Sequence, residues 1–467
     1  MLARLLRARA NLEDKPAVED LRLGVFRYSE LDELSDELAG GLARSVGVGD
    51  RVCVVASNGV RYLALFFALR KLGATLVPVN PNLERSGVQL IIEHSKPRLV
   101  VDDYFGLGPK LEEIGGGSGG ATAASGVDEW APAMILYTGG TTGKPKGALI
   151  PERQIVWNAL NTVVSWGLSR TDVTFNTMPM YHTGGWNVLT LPLLFAGGSV
   201  ILDGGRFDPE KTVEVLSKKG CTVYMGVPTM LDAITRTPSF QEADLSRVVF
   251  ISGGGVLPRP VYERFRVRGL RIFQGYGLTE AGPNNFYIPP ERFGSKPWSV
   301  GKPMVFVDAK LAGNGELLIR GPHVFDGYLN GEENPFDAEG YLHTGDVFRV
   351  DDDGDFIFMD RLKDVIKSGG ENVYSSEVEG AILVNPMVRE AAVVGVPDEH
   401  WGEKVVAFLV CDERLDLAAL REELRGRLAG YKVPKEFIRV GSLPKSVYGK
   451  VLKSELRRMY LEGGILG

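Results

Sequence analysis

The chain has 467 residues, roughly three times the length of a typical single domain, so more than one domain is expected. Hydrophobic residues make up 44% of it and charged residues 24%, the balance of a globular protein that can bury a sizeable core. The 53 basic residues are outnumbered by 59 acidic ones, and this net charge of −6 disfavours a protein that binds the nucleic-acid backbone.

Cysteine usage and hydropathy indicate the setting of the protein. Cys53, Cys221 and Cys411 lie far apart and form no Cys/His cluster, which argues against a disulfide scaffold or zinc site and favours a reducing cytoplasm. No apolar run reaches the about 18 residues of a spanning helix, so we expect no membrane span. The Arg-rich opening could pass for a transit peptide, but acidic residues follow at Glu13 and Asp14, so we favour no targeting segment. The sequence leaves the oligomeric state open, with a homodimer among the alternatives.

The first 100 residues alternate helix and strand patterns, and the alternation resumes at residues 199–225. Ser29 and Asp32 form a capping-box pattern ahead of leucines at helical spacing, which predicts a helix there. Strand, helix and strand patterns then follow at residues 51–56, 58–71 and 74–79, and again at 199–202, 209–219 and 221–225. This order predicts a parallel α/β layer.

Two boundaries interrupt the pattern. Residues 115–126 contain only Gly, Ser, Ala and Thr, which predicts a surface loop of linker composition. A second boundary near Arg361 divides residues 1–361 from residues 362–467. The second unit has strand, helix, strand, strand and helix patterns at residues 364–368, 376–383, 389–395, 404–410 and 417–429. We therefore predict an α/β fold, with a large multi-layered N-terminal domain of parallel and mixed sheets and a small mobile α+β C-terminal domain.

The segment with the most chemical information is residues 137–147, YTGGTTGKPKG, which follows an apolar run. Glycines let a backbone fold its N–H groups around a polyphosphate, hydroxyls add donors and lysines add charge. It is not a Walker A loop, because Pro145 stands after Lys144 where Ser or Thr is required. Taken alone, a flexible Ser/Thr/Gly turn is the alternative.

This segment resembles the phosphate loop of the adenylate-forming, AMP-binding superfamily, which includes acyl-CoA synthetases, luciferases and peptide-synthetase adenylation domains. The resemblance implies that Lys146 takes part in catalysis. It also implies that the loop binds ATP through Thr138, Gly139, Gly140, Thr141, Thr142 and Gly143.

Two further segments resemble the nucleotide site of this superfamily, residues 252–257 (SGGGVL) and 275–280 (GYGLTE). The resemblance implies that Tyr276 stacks on adenine, that Thr279 lies near the α-phosphate and that Glu280 holds Mg²⁺. The glycines implied to line the nucleotide and acyl sites are Gly253, Gly254, Gly255, Gly275 and Gly277. Alone, GYGLTE would equally be a loop-to-helix turn.

Residues 341–346 (YLHTGD) and 360–367 (DRLKDVIK) also resemble family segments. By this resemblance Asp346 and Arg361 grip the ribose hydroxyls of ATP. The resemblance implies that Lys363 is the hinge and that Lys367 approaches the site after the small domain rotates. Taken singly, Asp346 could be a turn residue and Arg361 a surface partner of Asp360.

The C-terminal region contains the main catalytic candidate and the candidate CoA site. Lys450, in PKSVYGK, is a long cationic arm on a pliable loop, and a solvated tail lysine is the alternative. The resemblance implies that Lys450 bridges the substrate carboxylate and the α-phosphate during adenylation. It also implies that the Gly369–Gly370 turn lines the tunnel for the pantetheine arm of CoA, because only glycine lets the thiol arm pass close to the backbone.

One histidine and two aromatic residues complete the candidate site. Tyr181 and His182 match a family position at the mouth of the acyl pocket, and Trp186, if it points inward, would shorten that pocket and favour short, medium or aromatic acids. A plain core role is the alternative for His182. The other histidines are expected at the surface or in ordinary packing: His94 and His323 in surface segments, His400 exposed and His343 packed.

The resemblance of this ordered set of segments implies an ATP-dependent acyl-CoA synthetase that acts through an acyl-adenylate on a fatty or aromatic acid. It would use ATP, Mg²⁺ and CoA. Loading of a carrier protein, release of the adenylate, and a non-catalytic nucleotide-binding relative remain alternatives. The chain has no GxSxG elbow, no HExxH helix and no Cys/His nucleophile pair.

Overall fold

The structure is a computed structural model that describes residues 1–115, 128, 130–139, 145–331, 334–445 and 451–463. Its helices are α1 (Leu5–Leu12), α2 (Tyr28–Leu42), α3 (Val60–Leu72), α4 (Arg85–Ser95), α5 (Glu152–Trp166), α6 (Thr190–Ala196), α7 (Pro209–Lys218), α8 (Pro228–Thr235), α9 (Pro238–Glu242), α10 (Arg259–Val267), α11 (Ser375–Ile382), α12 (Leu417–Arg425) and α13 (Lys453–Leu461).

Two sheets with mostly parallel strands form the first part of the chain. One has the order β5-β3-β4-β6-β7 and the other the order β12-β11-β10-β8-β9-β1-β2. The strands are β1 (Pro16–Asp20), β2 (Gly24–Arg27), β3 (Arg51–Val55), β4 (Thr75–Pro78), β5 (Leu99–Asp102), β6 (Pro132–Gly139), β7 (Pro145–Pro151), β8 (Val173–Asn176), β9 (Ser199–Leu202), β10 (Val223–Gly226), β11 (Val249–Ser252) and β12 (Arg271–Gln274).

Two further sheets have mainly antiparallel strands. One has the order β13-β14-β18-β17-β16-β15, and the last has the order β20-β19-β22-β21 with β23 beside β22. The strands are β13 (Phe286–Tyr287), β14 (Ser299–Pro303), β15 (Asp308–Leu311), β16 (Glu316–Arg320), β17 (Leu342–Val350), β18 (Phe356–Arg361), β19 (Ile366–Ser368), β20 (Glu371–Val373), β21 (Val388–Asp398), β22 (Gly402–Cys411) and β23 (Glu436–Arg439).

The predicted fold class is confirmed: a large N-terminal α/β part with mixed sheets precedes a smaller C-terminal part. The boundary between residues 361 and 362 stays a prediction. It falls between β18 and β19, where the chain leaves one sheet and enters another.

Helix α3 is almost entirely enclosed by the rest of the protein. Every residue of α3 except Arg61 is buried, so the helix lacks the polar face of a surface helix. Its two buried cations are paired: Arg70 Nη2 lies 3.1 Å from Glu152 Oε2, and Lys71 Nζ lies 2.6 Å from Asp32 Oδ1. Both charges are therefore paired, as buried charges in proteins usually are.

The start of α2 differs from the prediction. The helix begins at Tyr28, and the Arg27 N–H donates to Glu30 Oε2 at 2.7 Å in place of the predicted Ser29–Asp32 pair. Ser29 instead donates its hydroxyl to Asp14 Oδ2 at 2.8 Å. The prediction was wrong because an acceptor from a distant segment took the serine hydroxyl, and a local pattern does not show such an acceptor.

The helices also bear on the membrane question. None of the helices that the structure describes is both long enough and apolar enough to cross a bilayer. Most of the 115–126 segment lies outside the described residues.

Candidate active site

Glycine turns meet at the C-terminal edge of the second sheet. Strands β10, β11 and β12 are parallel neighbours, so their C-terminal ends lie side by side. The Gly253 N–H donates to Gly226 O at 3.3 Å, and the Gly275 N–H donates to Ser252 O at 2.8 Å. The glycines predicted to line the nucleotide and acyl sites therefore lie in adjacent turns, where α/β sheets commonly bind ligands. These glycines are Gly253, Gly254, Gly255, Gly275 and Gly277.

Tyr276, Asp346 and Arg361 come together although they are distant in sequence. The antiparallel register of β17 and β18 pairs Asp346 with Arg361, and Arg361 Nε lies 2.7 Å from Asp346 Oδ1. Tyr276 donates its hydroxyl to Asp346 Oδ2 at 2.7 Å. Asp346 is only 2% exposed, whereas the Arg361 side chain is 47% exposed. The carboxylate is thus held from two sides beside a guanidinium that solvent can reach.

The surroundings keep the Tyr276 phenol and the Arg361 guanidinium protonated. Burial and the Asp346 charge raise the pKa of Tyr276 well above its ordinary value, so the phenol stays a hydrogen-bond donor. Although burial opposes it, the Asp346 carboxylate raises the pKa of Arg361. The Tyr276 ring packs edge-on against Phe348, with ring centroids 4.8 Å apart, and against Phe286.

The predicted phosphate loop lies at the tip of the β6–β7 hairpin. Thr138 pairs with Lys146 and Gly139 with Pro145 in the antiparallel register. Gly140, Thr141, Thr142 and Gly143 lie outside the described residues.

Lys146 and Glu280 are connected through Tyr328. The Lys146 ammonium lies 5.7 Å from the centre of the Tyr328 ring, and Tyr328 donates its hydroxyl to Glu280 Oε1 at 2.8 Å. Ala148 also forms a β-bridge with Tyr328, which fixes the hairpin against this segment. The sequence analysis did not identify Tyr328. The only local signal was an aromatic residue next to Gly327.

Thr279 and Glu280 form a short 3₁₀ turn, Thr279–Ala281, after the GYG segment. Gln154 of α5 donates its Nε2 to Thr279 O at 2.9 Å, and the Phe325 N–H donates to Glu280 O at 2.8 Å. Two separate elements therefore hold the backbone of this turn. Gln154 was also missed by the sequence analysis, because helix periodicity does not show which turn a buried amide will reach.

The donor set of Glu280 fits magnesium. Among the described residues there is no group of three His, Cys, Asp or Glu side chains that could hold a metal on its own. Mg²⁺ usually takes one or two protein carboxylates together with substrate phosphates and waters, so a single carboxylate beside a phosphate loop suffices.

Tyr181, His182 and Trp186 precede or lie within a π-helical turn at Gly184–Val188, a feature often found at functional sites. The Gly184 N–H donates to His182 Nδ1 at 3.1 Å, and burial raises the pKa of Tyr181. Trp186 is fully buried and packs against Tyr62 and Phe66 of α3, with centroids 5.6 Å and 5.2 Å away. These contacts give Trp186 a packing role, and its effect on substrate length stays a prediction.

The other histidines divide between confirmed and wrong predictions. His400 is exposed, as expected. His323 was expected at the surface but is fully buried, with Nε2 2.9 Å from Asn285 Oδ1. His343 was expected to be packed but is exposed beside Glu316. His94 is only partly exposed and pairs with the Tyr137 hydroxyl at 2.8 Å.

The predicted hinge lies in a turn joining two sheets. Lys363 is exposed in the 3₁₀ turn Leu362–Asp364, between β18 and β19. Next to it, the buried Asp360 accepts hydrogen bonds from the Ser375 hydroxyl at 2.7 Å and from the Ser375 N–H. Ser375 opens α11, so the last strand of one part supplies a carboxylate that caps the first helix of the other. Asp360 had been considered only as a surface partner of Arg361.

The Gly369–Gly370 turn closes the β19–β20 hairpin. Both glycines have positive φ, 62° and 85°, which a two-residue hairpin turn requires. A Cβ on Gly370 would meet nothing within 4 Å, so this side of the turn is open. Lys367 is exposed on β19 beside it. This open backbone fits the passage of a narrow thiol arm.

Lys450 lies outside the described residues. The segment that carries it is bracketed by a β-bridge between Lys445 and Val451. Just after it, Lys453 donates to the Ser375 hydroxyl at 2.6 Å and pairs with Glu379 at 2.7 Å.

Comparisons with known proteins identify the family of the chain. The profile of the AMP-binding enzyme family matches residues 6–329, and that of the AMP-binding enzyme C-terminal domain matches residues 377–450. The chain therefore belongs to the AMP-binding enzyme family.

Individual relatives resemble the chain over nearly its whole length. A feruloyl-CoA synthase of Amycolatopsis sp. is 36% identical over 464 residues, which cover 93% of this chain and 94% of that protein. The ATP-bound structure of MatB from Rhodopseudomonas palustris is 30% identical with a TM-score of 0.88, covering 98% and 99% of the two chains. The o-succinylbenzoate coenzyme A synthetase MenE of Bacillus subtilis, in complex with ATP and magnesium ion, is 28% identical with a TM-score of 0.87, covering 97% and 99%.

Proposed function

We propose that this enzyme is an ATP-dependent acyl-CoA synthetase, an acid–thiol ligase. It converts a carboxylic acid, ATP and CoA into acyl-CoA, AMP and diphosphate through an acyl-adenylate. The observation that supports this most strongly is the Tyr276–Asp346–Arg361 group at the turn that also carries Glu280. It offers a buried carboxylate for a ribose diol beside a phosphate-binding hairpin.

In the first step, a carboxylate oxygen of the acid attacks the α-phosphorus of ATP. The new bond joins that oxygen to phosphorus, and the bond from the α-phosphorus to the bridging oxygen breaks, so diphosphate leaves with the electron pair. Lys450 and the Thr279 turn stabilise the charge that develops on the α-phosphate. Lys146 and the β6–β7 hairpin hold the departing diphosphate.

Glu280 is the residue that would hold Mg²⁺, which supplies positive charge against the phosphate oxygens. Tyr328 positions the Glu280 carboxylate through its hydroxyl. Asp346 and Arg361 hold the ribose and fix the position of the α-phosphate relative to the acid. Such positioning turns an encounter of two substrates into a reaction within one complex.

In the second step, the CoA sulfur attacks the acyl carbon, and the bond from that carbon to the adenylate oxygen breaks. The thiol loses its proton, and AMP leaves with the electron pair. We assign residues 1–361 to the ATP and acyl sites and residues 362–467 to a mobile domain that rotates about Lys363. Rotation withdraws Lys450 and brings Lys367 and the Gly369–Gly370 turn to the site.

The substrate is an aromatic or fatty acid. The feruloyl-CoA synthase similarity, over more than nine-tenths of both chains, supports an aromatic acid. Tyr181 and His182 form the mouth of the acyl pocket, next to the π-helical turn.

Release of diphosphate from MgATP, measured across a panel of aromatic and fatty acids with and without CoA, tests this function. We expect release that depends on the acid, with acyl-CoA and AMP appearing when CoA is added. Release without any use of CoA would instead identify a carrier-protein loader or an adenylate-producing enzyme. ATP binding without release from any acid would contradict catalysis altogether.

We also infer a reducing compartment, the cytoplasm. Cys53 and Cys221 are buried free thiols, Cys411 is a partly exposed one, and burial raises the pKa of Cys53 and of Cys221 to about 12. When cells are lysed directly into denaturant, a thiol reagent should detect three free thiols per chain. A smaller count would contradict the inference.

A further inference from the structure

Asn58 joins the two α/β sheets beside the predicted mouth of the acyl pocket. It lies between β3 of the first sheet and α3, and its side chain contacts the segment that follows β8 of the second sheet. Asn58 Nδ2 donates to the Met178 carbonyl at 2.8 Å, and the Met180 N–H donates to Asn58 Oδ1 at 2.8 Å. The next residues in the chain are Tyr181 and His182. One amide therefore holds the backbone directly before the predicted mouth.

The orientation of this amide is unambiguous. The Met178 carbonyl can only accept a hydrogen bond and the Met180 N–H can only donate one. A rotated Asn58 amide would place oxygen against oxygen and nitrogen against nitrogen, and it would lose both hydrogen bonds. Asn58 thus supplies one donor and one acceptor that match this backbone.

The Asn58 segment is itself fixed. The Val60 N–H donates to Asp20 Oδ2 at 3.0 Å, and Arg22 Nη2 donates to the Asn58 carbonyl at 3.3 Å. Asp20 ends β1 and Arg22 lies in the turn between β1 and β2, so both belong to the second sheet. These two hydrogen bonds limit the movement of Asn58 relative to the segment that it holds.

Side chains of the second sheet hold the same backbone from the other side. The Met178 N–H donates to Asn176 Oδ1 at 2.9 Å, and Trp186 donates its Nε1–H to the Met180 carbonyl. The N–H and carbonyl groups of Met178 and Met180 are thus all paired. Of the three side chains that pair them, Asn58 alone comes from the first sheet. It therefore sets where this backbone lies relative to that sheet.

Fixing this backbone fixes the two side chains that follow it. Tyr181 is bonded directly to Met180, and His182 Nδ1 accepts from the Gly184 N–H at 3.1 Å, which ties the imidazole to its own loop. A displacement of Met180 is therefore carried to both side chains. A misplacement of about 1 Å in a substrate-positioning element can cost about 100-fold in rate.

We propose that Asn58 is a positioning residue for the acyl site, which holds Tyr181 and His182 in the geometry that binds the acid. This inference rests on the proposed acyl-CoA synthetase function, and it adds a residue outside the segments assigned to the acyl pocket. The nucleotide group of Tyr276, Asp346 and Arg361 lies on other elements, the turn after β12 and the β17–β18 pair. Asn58 therefore acts on the acid and not on ATP.

The first test is Asn58→Ala. Diphosphate release is measured at varied acid and at varied ATP, with the acid that the wild-type enzyme uses best. We expect kcat/KM for the acid to fall about 10- to 100-fold while KM for ATP stays within about twofold. Equilibrium binding of ATP and the unfolding midpoint, measured in parallel, show that the variant is folded. Asn58→Ser keeps a polar group that water can link to the same backbone, and it should show a smaller loss of the same kind.

The matched control is Asp172→Ala. Asp172 accepts from the Ser169 N–H and from the Thr222 hydroxyl, each at 2.7 Å, just before β8 begins. It holds a loop at the opposite end of the same strand, so its loss should lower stability without a selective effect on the acid. Equal losses toward acid and ATP in Asn58→Ala, matched by Asp172→Ala, would indicate a general structural role and overturn the inference.

A double-mutant cycle then assigns the effect to the two positioned side chains. A positioning residue acts through the residues that it positions, so Asn58→Ala should cost less than about threefold in a chain that already carries Tyr181→Ala and His182→Ala. A loss there as large as in the wild-type background would show that Asn58 acts elsewhere, and the inference would fall.

The outcomes separate this inference from the proposed function. Acid-dependent diphosphate release by the wild-type enzyme, with no selective loss toward the acid in Asn58→Ala or Asn58→Ser, leaves the ligase standing and refutes the inference. If no acid supports release by the wild-type enzyme, the proposed function fails and the inference with it.

Discussion

Replacing Asp346 with asparagine tests the nucleotide site most specifically. The side chain is 2% exposed, and its shape is retained in Asp346→Asn while its charge is lost. Tyr276 can still donate to the amide oxygen. Arg361 Nε, which lies 2.7 Å from a carboxylate oxygen in the wild-type protein, loses its ion pair in the variant. The half-exposed guanidinium can turn to solvent, so the main expected effect concerns ATP.

The magnitude follows from the hydrogen bonds that a ribose diol would make. In the amide one acceptor oxygen is replaced by an NH2 group, which cannot accept, and the remaining oxygen is neutral, whereas charge-assisted bonds are about twice as strong as neutral ones. A loss of about 1 kcal/mol per bond gives about 2 kcal/mol in all, or roughly a 30-fold higher KM for ATP. The KM for the acid should change much less.

The assay is diphosphate release at varied ATP concentration, with the unfolding midpoint measured in parallel. Asp355→Asn is the matched control, because Asp355 is also 2% exposed and is paired with Arg292 next to β18. It should lose stability without a change in the KM for ATP. A KM for ATP in Asp346→Asn within threefold of that control would refute the ribose assignment.

Three further predictions concern the phosphates, the catalytic lysine and a buried histidine. Glu280→Gln keeps an acceptor for Tyr328 but should lower diphosphate release about 100-fold and raise the Mg²⁺ concentration needed for half-maximal rate. Lys450→Ala should slow adenylation on the order of 10²–10³-fold and spare thioester formation from supplied acyl-adenylate. Burial lowers the pKa of His323 from its ordinary 6.5 to about 4. Between these two pH values, this histidine binds a proton in the unfolded chain but stays neutral in the native protein. Stability should therefore fall by about 2 kcal/mol between about pH 7 and pH 5, and His323→Gln should lack this loss.

Each of these predictions has a control and a contradicting result. For Glu280 the control is the exposed Glu291→Gln, and an unchanged Mg²⁺ dependence would remove the metal assignment. For Lys450 the control is Lys445→Ala, whose lysine pairs with Glu390, and equal losses in both half-reactions would contradict the division of labour. For His323, urea unfolding with the same pH dependence in both proteins would show that other groups titrate.

Much of the fold could be predicted where local pattern and structure agree. The apolar runs near residues 51–56 and 74–79 became β3 and β4, and β9 occupies the predicted residues 199–202. These strands are buried on both faces, so their sequences are continuous apolar runs that need no partner to be recognised. In the C-terminal part, the predicted strands at residues 389–395 and 404–410 lie within β21 and β22.

The sheet between residues 286 and 361 was largely missed. Its strands are short, and β15, with sequence DAKL, is exposed or only partly buried along its length, so it has no apolar run. Antiparallel strands with one wet face give weak local signals. The site shows the same limit: Asp346 and Arg361 were identified by resemblance, but Tyr328, Gln154 and the buried state of His323 depend on contacts between distant segments.

The most direct test of the account follows the carboxylate oxygen. The acid is labelled with oxygen-18 in its carboxylate and converted to acyl-CoA with MgATP and CoA, and the released nucleotide and diphosphate are analysed by mass spectrometry. The account predicts one labelled oxygen in AMP and none in diphosphate, because the carboxylate attacks the α-phosphorus. Label in diphosphate or in inorganic phosphate, with unlabelled AMP, would contradict an acyl-adenylate.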